Sequence, residues 1–189
     1  MKVAKKASLN FKRYAPIFFT SLNALMGILV IYLMILDGGN GKKIYLPLMI
    51  IFAGICDCLD GRLARKFNAD TLFGKELDSL ADAISFSLAP VSLLINNLLE
   101  YTALLGLVAG ITYPLADIYR LARFNASTLE GYFEGLPITI AGMILALKHL
   151  VIINLNLQAS QLVVESYITS ILMLALSYLM VSKIKFKKL

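Results

Sequence analysis

This 189-residue chain has only two cysteines and one histidine, and charge is also scarce, with Asp, Glu, Lys and Arg making up 16% of it. Cys56 and Cys58 stand two apart in an apolar run, which is neither a disulfide framework nor a zinc motif. They read as packing or lipid-facing residues. His149, next to Lys148, lies far along the chain from any acidic pair and reads as interfacial rather than catalytic. No basic cluster is interleaved with stacking aromatics, so the net charge of +6 argues for membrane topology and anionic headgroups and against nucleic-acid binding. There is no internal repeat and no low-complexity segment.

What the chain has in abundance is apolar length: 59% of it is hydrophobic. A bilayer is crossed by about 20 apolar residues. Six runs meet that length, roughly Ile17–Leu36, Ile44–Arg65, Leu72–Ile95, Tyr101–Arg123, Leu136–Val151 and Leu162–Val181. The expected fold is a single all-α integral membrane domain over residues 1–189, with six transmembrane helices. The first run is too long for a cleaved signal peptide and is followed by no small-residue cleavage pattern. Met1–Tyr14 alternates basic and apolar residues, and two readings stay open: a short amphipathic surface helix, or a basic tail that only sets orientation. Fifteen of the eighteen basic residues fall on one side of this arrangement, leaving Lys42, Lys43 and Lys148 on the other. The positive-inside rule then puts both termini in the cytoplasm, in a cell membrane.

Four carboxylates interrupt the apolar runs. Asp57 and Asp60 stand at i, i+3 and Asp78 and Asp82 at i, i+4, so each pair shares a helical face, and the short link between them makes the two helices antiparallel neighbours. Unpaired charge at membrane depth is expensive. Four hard oxygen donors with no His or Cys beside them suit Mg²⁺, Mn²⁺ or Ca²⁺, and two such ions would balance the set and clamp a phosphate or pyrophosphate. Gly61 and Ala64 extend the first stripe, and their small size lets a bulky ligand approach the backbone. Both pairs lie near one interface, where a water-soluble nucleotide and a lipid tail reach the same point.

Other residues carry weaker signals. Pro16 is expected to open the first helix. Thr20, Asn23 and Gly27 share a face that turns either to the bundle interior as a functional stripe or to a neighbouring helix as simple packing. Pro90 and Pro114 are expected to kink their helices. Arg120 and Arg123, at i, i+3, either hold a carboxylate or phosphate or serve as interfacial anchors. Gly142 and Ser177 are packing or dimer positions.

The run D-x-x-D-G-x-x-A-R from Asp57 to Arg65, then eight residues, then G-x-x-x-D-x-x-x-D from Gly74 to Asp82, resembles the signature of the CDP-alcohol phosphotransferase family. T-x-x-N-x-x-x-G at Thr20, D-S-L-A-D-x-x-S-F at Asp78, Ala89-Pro90, R-L-A-R-F-N from Arg120 to Asn125 and F-x-G-L-P ending at Pro137 are similar to its phosphatidylserine synthase branch. Asp117-Ile118-Tyr119 departs from that branch, where smaller residues are expected, and bears on the acceptor rather than the family. The resemblance implies transfer of a phosphatidyl-type group from a CDP-linked lipid to an alcohol, with release of CMP. It implies that Asp57, Asp60 and Asp78 bind two divalent cations, with Asp82 as a further ligand or as general base. Thr20, Asn23, Gly61, Ala64 and Arg65 would meet the CDP-lipid, and Arg120, Arg123 and Asn125 are candidates for holding serine or phosphate. It further implies L-serine as acceptor, with glycerol 3-phosphate or inositol phosphate as alternatives, and a homodimer.

Two other classes are weighed against this. A cation-coupled carrier would want its carboxylates near the bilayer midplane, often with related halves, whereas these sit at one interface in unrelated halves. A purely structural membrane protein has no reason to keep four carboxylates and two glycines on facing stripes.

Overall fold

The computed structural model describes residues 2–39, 41–67, 69, 71–126, 132–155 and 157–187, with side chains described between Tyr14 and Asn125 and between Gly135 and Ile184. Long helices account for nearly all of it. In chain order they are α1 (Lys2–Leu36), α2 (Tyr45–Phe67), α3 (Leu72–Asp82), a π-helical segment (Ala83–Leu88), α4 (Ala89–Thr102), α5 (Leu104–Ala126), α6 (Ile138–Leu155) and α7 (Ala159–Val181). Two three-residue strands, β1 (Tyr132–Glu134) and β2 (Lys185–Lys187), pair antiparallel with Phe133 opposite Phe186, a small ribbon that an all-helical reading omits.

Among the described residues, five helical stretches are long and apolar enough to cross a membrane: Tyr14–Leu36, Leu72–Thr102, Leu104–Asn125, Ile138–Leu155 and Ala159–Val181. α2, at 23 residues, has the length, but its second half carries Asp57, Asp60, Arg62, Arg65 and Lys66. Large apolar side chains face outward from every long helix, among them Phe18, Tyr32, Phe52, Ile111, Ile144 and Tyr178. A surface of that kind on helices long enough to span a bilayer belongs in lipid, and the protein is an integral membrane protein. Inside, Val30, Ile50, Phe86, Leu93, Tyr113, Leu145 and Met173 belong to one continuous core.

The helix boundaries correct three expectations. Pro16 lies within α1, which runs unbroken from Lys2, so the N-terminal arm continues the first helix instead of preceding it; the side chains that would make it amphipathic lie outside the described residues. The third run continues through the proline to Thr102, and α4 and α5 are separated only by Ala103, at φ 42°. That sharp reversal needs Gly106, where a Cβ would lie 2.5 Å from the Leu98 carbonyl oxygen.

Pro90 acts one turn upstream, through a wider turn. Lacking an N–H, it leaves the Phe86 carbonyl without its helical donor. The Tyr113 hydroxyl of α5 donates to that carbonyl at 3.2 Å, while the Ala89 N–H reaches back five residues to Ile84. Such single-turn π segments occur inside α-helices and often mark functional sites.

Candidate active site

One end of the bundle collects the C-terminal turns of α2, α5 and α7 and the N-terminal turns of α3 and α6. α3 begins with Thr71 as N-cap, its Oγ1 accepting from the Gly74 N–H at 3.0 Å. That cap starts the helix seven residues before Asp78. The facing stripes expected from spacing do meet: Asp57, Asp60 and Asp78 each offer a carboxylate oxygen within 4.8 Å of the others. Asp82 stands outside this trio, with its carboxyl group against that of Asp57.

Three of the four carboxylates are held from neighbouring helices, two from α1 and one from α6. Thr20 of α1 donates to Asp60 Oδ2 at 2.6 Å, and Asn23 Nδ2, one turn on, donates to Asp82 Oδ1 at 3.3 Å. Thr139, in the first turn of α6, donates to Asp57 Oδ2 at 3.2 Å. Asp78 Oδ1 is buried with no hydrogen-bond partner among the described residues. α1 can come this close because Gly27 lies against the π segment, where a Cβ would be 2.7 Å from the Ser85 Cα. Ser85 Oγ donates to the Asn23 carbonyl at 2.8 Å across the same contact.

This arrangement fits a hard divalent cation. Three converging carboxylates, one of which has a buried oxygen without a hydrogen-bond partner among the described residues, leave a concentration of negative charge that neutral donors alone do not balance. Among the described residues, no ion pair involves the four: Asp37–Lys43 and Lys148–Glu165 lie elsewhere, and Asp117 pairs with Arg120 on α5.

The other expected residues divide. Gly61 is exposed beside Asp60, and a Cβ there would meet nothing within 4 Å, so the space above it is open. Ala64 is half-buried, and Arg65 is exposed with its Nε donating to the Gly61 carbonyl at 3.2 Å. Arg120 and Arg123 do not act together. Arg120 is buried, with its Nε 3.8 Å from Asp117 Oδ1. Arg123 donates to the Val181 and Ser182 carbonyls at 2.9 and 3.2 Å and so ties off the C-terminus of α7. Asn125 bridges to Glu76 and Ser79, joining the end of α5 to the start of α3. The glycine of F-x-G-L-P, Gly135, is buried at φ 80° and donates its N–H to Ile184; the side chain of Phe133 is outside the described residues. His149 is buried at the opposite end, bonded to the Gly41 carbonyl at 2.8 Å.

Thr139 and Tyr113 have no counterpart in the sequence reading. A threonine two residues past Pro137, at the start of an apolar run, is the signal that points to the first. For Tyr113 no such signal exists, because its partner is a backbone carbonyl freed on another helix.

The fold and the site together define an integral membrane protein with an acidic centre, able to hold a metal ion, assembled at one end of its helix bundle. The chain belongs to the CDP-alcohol phosphatidyltransferase family, which it matches over residues 13–185. It is 34% identical over 175 residues to the CDP-diacylglycerol–serine O-phosphatidyltransferase of Bacillus subtilis, covering 92% of this chain and 89% of that one. A protein of the same name from Methanocaldococcus jannaschii is 39% identical over 171 residues, covering 90% and 72%. The archaetidylserine synthase of Methanothermobacter thermautotrophicus is 34% identical over 176 residues, covering 92% and 69%.

Proposed function

We propose that this protein is a CDP-lipid–serine O-phosphatidyltransferase, joining L-serine to the lipid phosphoryl group of a CDP-diacylglycerol or CDP-archaeol and releasing CMP. The observation that carries the reading is the convergence of Asp57, Asp60 and Asp78 beside Asp82 in a chain of this family. The serine acceptor is supported by the names of relatives that span most of the chain.

Asp57, Asp60 and Asp78 are the residues to hold divalent cations, two Mg²⁺ or Mn²⁺ ions in our reading, with Ca²⁺ a possible substitute. Bound there, such ions supply charge neutralisation for the pyrophosphate and the departing CMP. Thr20 and Thr139 fix the carboxylates that do the holding, the role that outer hydrogen bonds play at metal sites. Gly61, Ala64 and Arg65 border the open space in which the cytidine and its phosphates would lie.

Asp82 is the general base. Its Oδ1 is held by Asn23, and its place outside the trio supports a role on the acceptor. A serine hydroxyl has a high pKa, so a base must take its proton as attack proceeds. The serine oxygen forms a bond to the lipid-side phosphorus, the pyrophosphate P–O bond breaks, CMP leaves with the bridging oxygen, and the proton passes to Asp82.

In this reading α2 completes six spans, both termini face the cytoplasm, the site lies at the cytoplasmic interface of the cell membrane, and two copies form a dimer. The test is CMP release by purified protein with CDP-linked lipid and Mg²⁺ or Mn²⁺, with and without L-serine. Serine-dependent CMP with phosphatidylserine as co-product is expected. CMP release with glycerol 3-phosphate or inositol phosphate but not serine would move the acceptor, and uptake of solute into liposomes with no CMP release would overturn the reaction class.

A further inference from the structure

Asp117 and Arg120 have no task in the mechanism above, and they lie on the helix that borders the site. Asp117 is completely buried, and neither of its carboxylate oxygens has a hydrogen-bond partner among the described residues. Arg120, one turn along the same helix, is 7% exposed, and its Nε is likewise unpartnered. The two approach to 3.8 Å, too far for a hydrogen bond. An ion pair within one helix joins no two elements, and burying both charges costs more than such a loose contact returns. Buried groups left open in this way need a partner that the chain does not supply.

Their position says what that partner is near. Asn125, at the end of α5, bonds to Ser79 and Glu76 of α3, so α5 lies along α3 at the site, and Arg120 and Asp117 follow five and eight residues further in. Both lie within electrostatic range of Asp82. Tyr113, the next residue of this buried stripe, is already committed to the Phe86 carbonyl.

We propose that Asp117 and Arg120 form the acceptor subsite and recognise a zwitterionic α-amino acid, Asp117 taking the α-ammonium and Arg120 the α-carboxylate. The two groups of an α-amino acid are held on one carbon, so their opposite charges fall as close together as those of this pair. A serine held so would present its hydroxyl toward Asp82. The inference rests on the serine transferase reading and deepens it: it assigns an acceptor role to Asp117 in the Asp-Ile-Tyr step, which departs from the phosphatidylserine synthase branch.

The experiment compares three acceptors in the CMP-release assay: L-serine, 3-hydroxypropionate, which lacks the ammonium, and ethanolamine, which lacks the carboxylate. The wild-type protein should prefer serine to either by on the order of 100-fold or more in kcat/KM, because each analogue leaves one buried charge unpaired. Asp117→Asn should raise the KM for serine and collapse the preference over 3-hydroxypropionate; Arg120→Gln should collapse the preference over ethanolamine. Serine should also raise the melting temperature of the wild-type protein in detergent, and this shift should vanish in Asp117→Asn. That binding readout needs no turnover. Unchanged acceptor ratios in a folded Asp117→Asn protein would overturn the subsite. A wild-type protein that discriminates poorly among the three would overturn it without any variant. A wild-type protein that releases no CMP with serine at all would overturn the underlying reaction instead.

Discussion

Thr20 and Gly61 sit a hydrogen bond and a peptide apart from the same carboxylate, and they test opposite things. Thr20 holds Asp60 from α1, so Thr20→Val keeps the shape, removes the donor, and should weaken the response to Mg²⁺ or Mn²⁺ by about 10- to 100-fold, the usual cost of losing an outer-shell bond. A metal titration of activity measures it, and an unchanged midpoint would show that Asp60 is held by something else. Gly61→Ala adds a methyl group that meets no protein atom within 4 Å. In a helix it should therefore stabilise the protein by up to about 1 kcal/mol, yet CMP release should fall sharply if the nucleotide lies against that backbone. A stable variant with full activity would move the substrate away from α2. Asp60→Asn completes the series: turnover should be lost while the melting temperature holds or rises, since a buried carboxylate facing two others is a source of repulsion in the protein free of metal.

At the level of elements, the position of α1 against the π segment decides the geometry of Asp82. Gly27 and Ser85 set that distance, and a Cβ at Gly27 would lie 2.5 Å from Ser85 Oγ and 2.7 Å from its Cα. Gly27→Ala must push the helices apart, at a cost of about 1–3 kcal/mol, and it should draw Asn23 off Asp82. A lowered melting temperature together with a fall in kcat is expected; a fall in stability alone would mean that Asn23 does not matter to the base. The same elements show where the sequence was informative. Carboxylates at i, i+3 and i, i+4 reveal their faces because helical periodicity is local, and the stripe Thr20, Asn23, Gly27 turns inward, Thr20 and Asn23 to the carboxylates and Gly27 to the neighbouring π segment. Arg120 and Arg123 have equally clear spacing, yet they part company because their partners, Asp117 on one hand and the end of α7 on the other, are set by tertiary packing. Pro90 announced a distortion, but its form depends on a tyrosine of α5. Pro16 announced a helix start that the continuous α1 does not have.

For the whole molecule the question is which side of the membrane faces the site. Thr20, Asp60, Asp78, Arg123, Thr139 and the end of α7 gather at one end, whereas Lys43, His149 and Gly41 lie at the other. A transferase using a CDP-linked nucleotide needs its site on the cytoplasmic side, so the proposed function predicts that the gathered end is cytoplasmic, in line with the positive-inside rule. Two exposed positions mark the two ends: Lys183, just past α7, and Gln158, the N-cap of α7. With Cys56 and Cys58 changed to serine, Gln158→Cys should react with an impermeant maleimide in intact cells, and Lys183→Cys only after the membrane is opened. The α7 helix alone separates these two probes, so its span is tested directly. Labelling of both from outside would mean that α7 does not cross the membrane. The reverse pattern would put the site outside, where no CDP-linked nucleotide is available, and the transferase reading would then fail on topology before any assay of its chemistry.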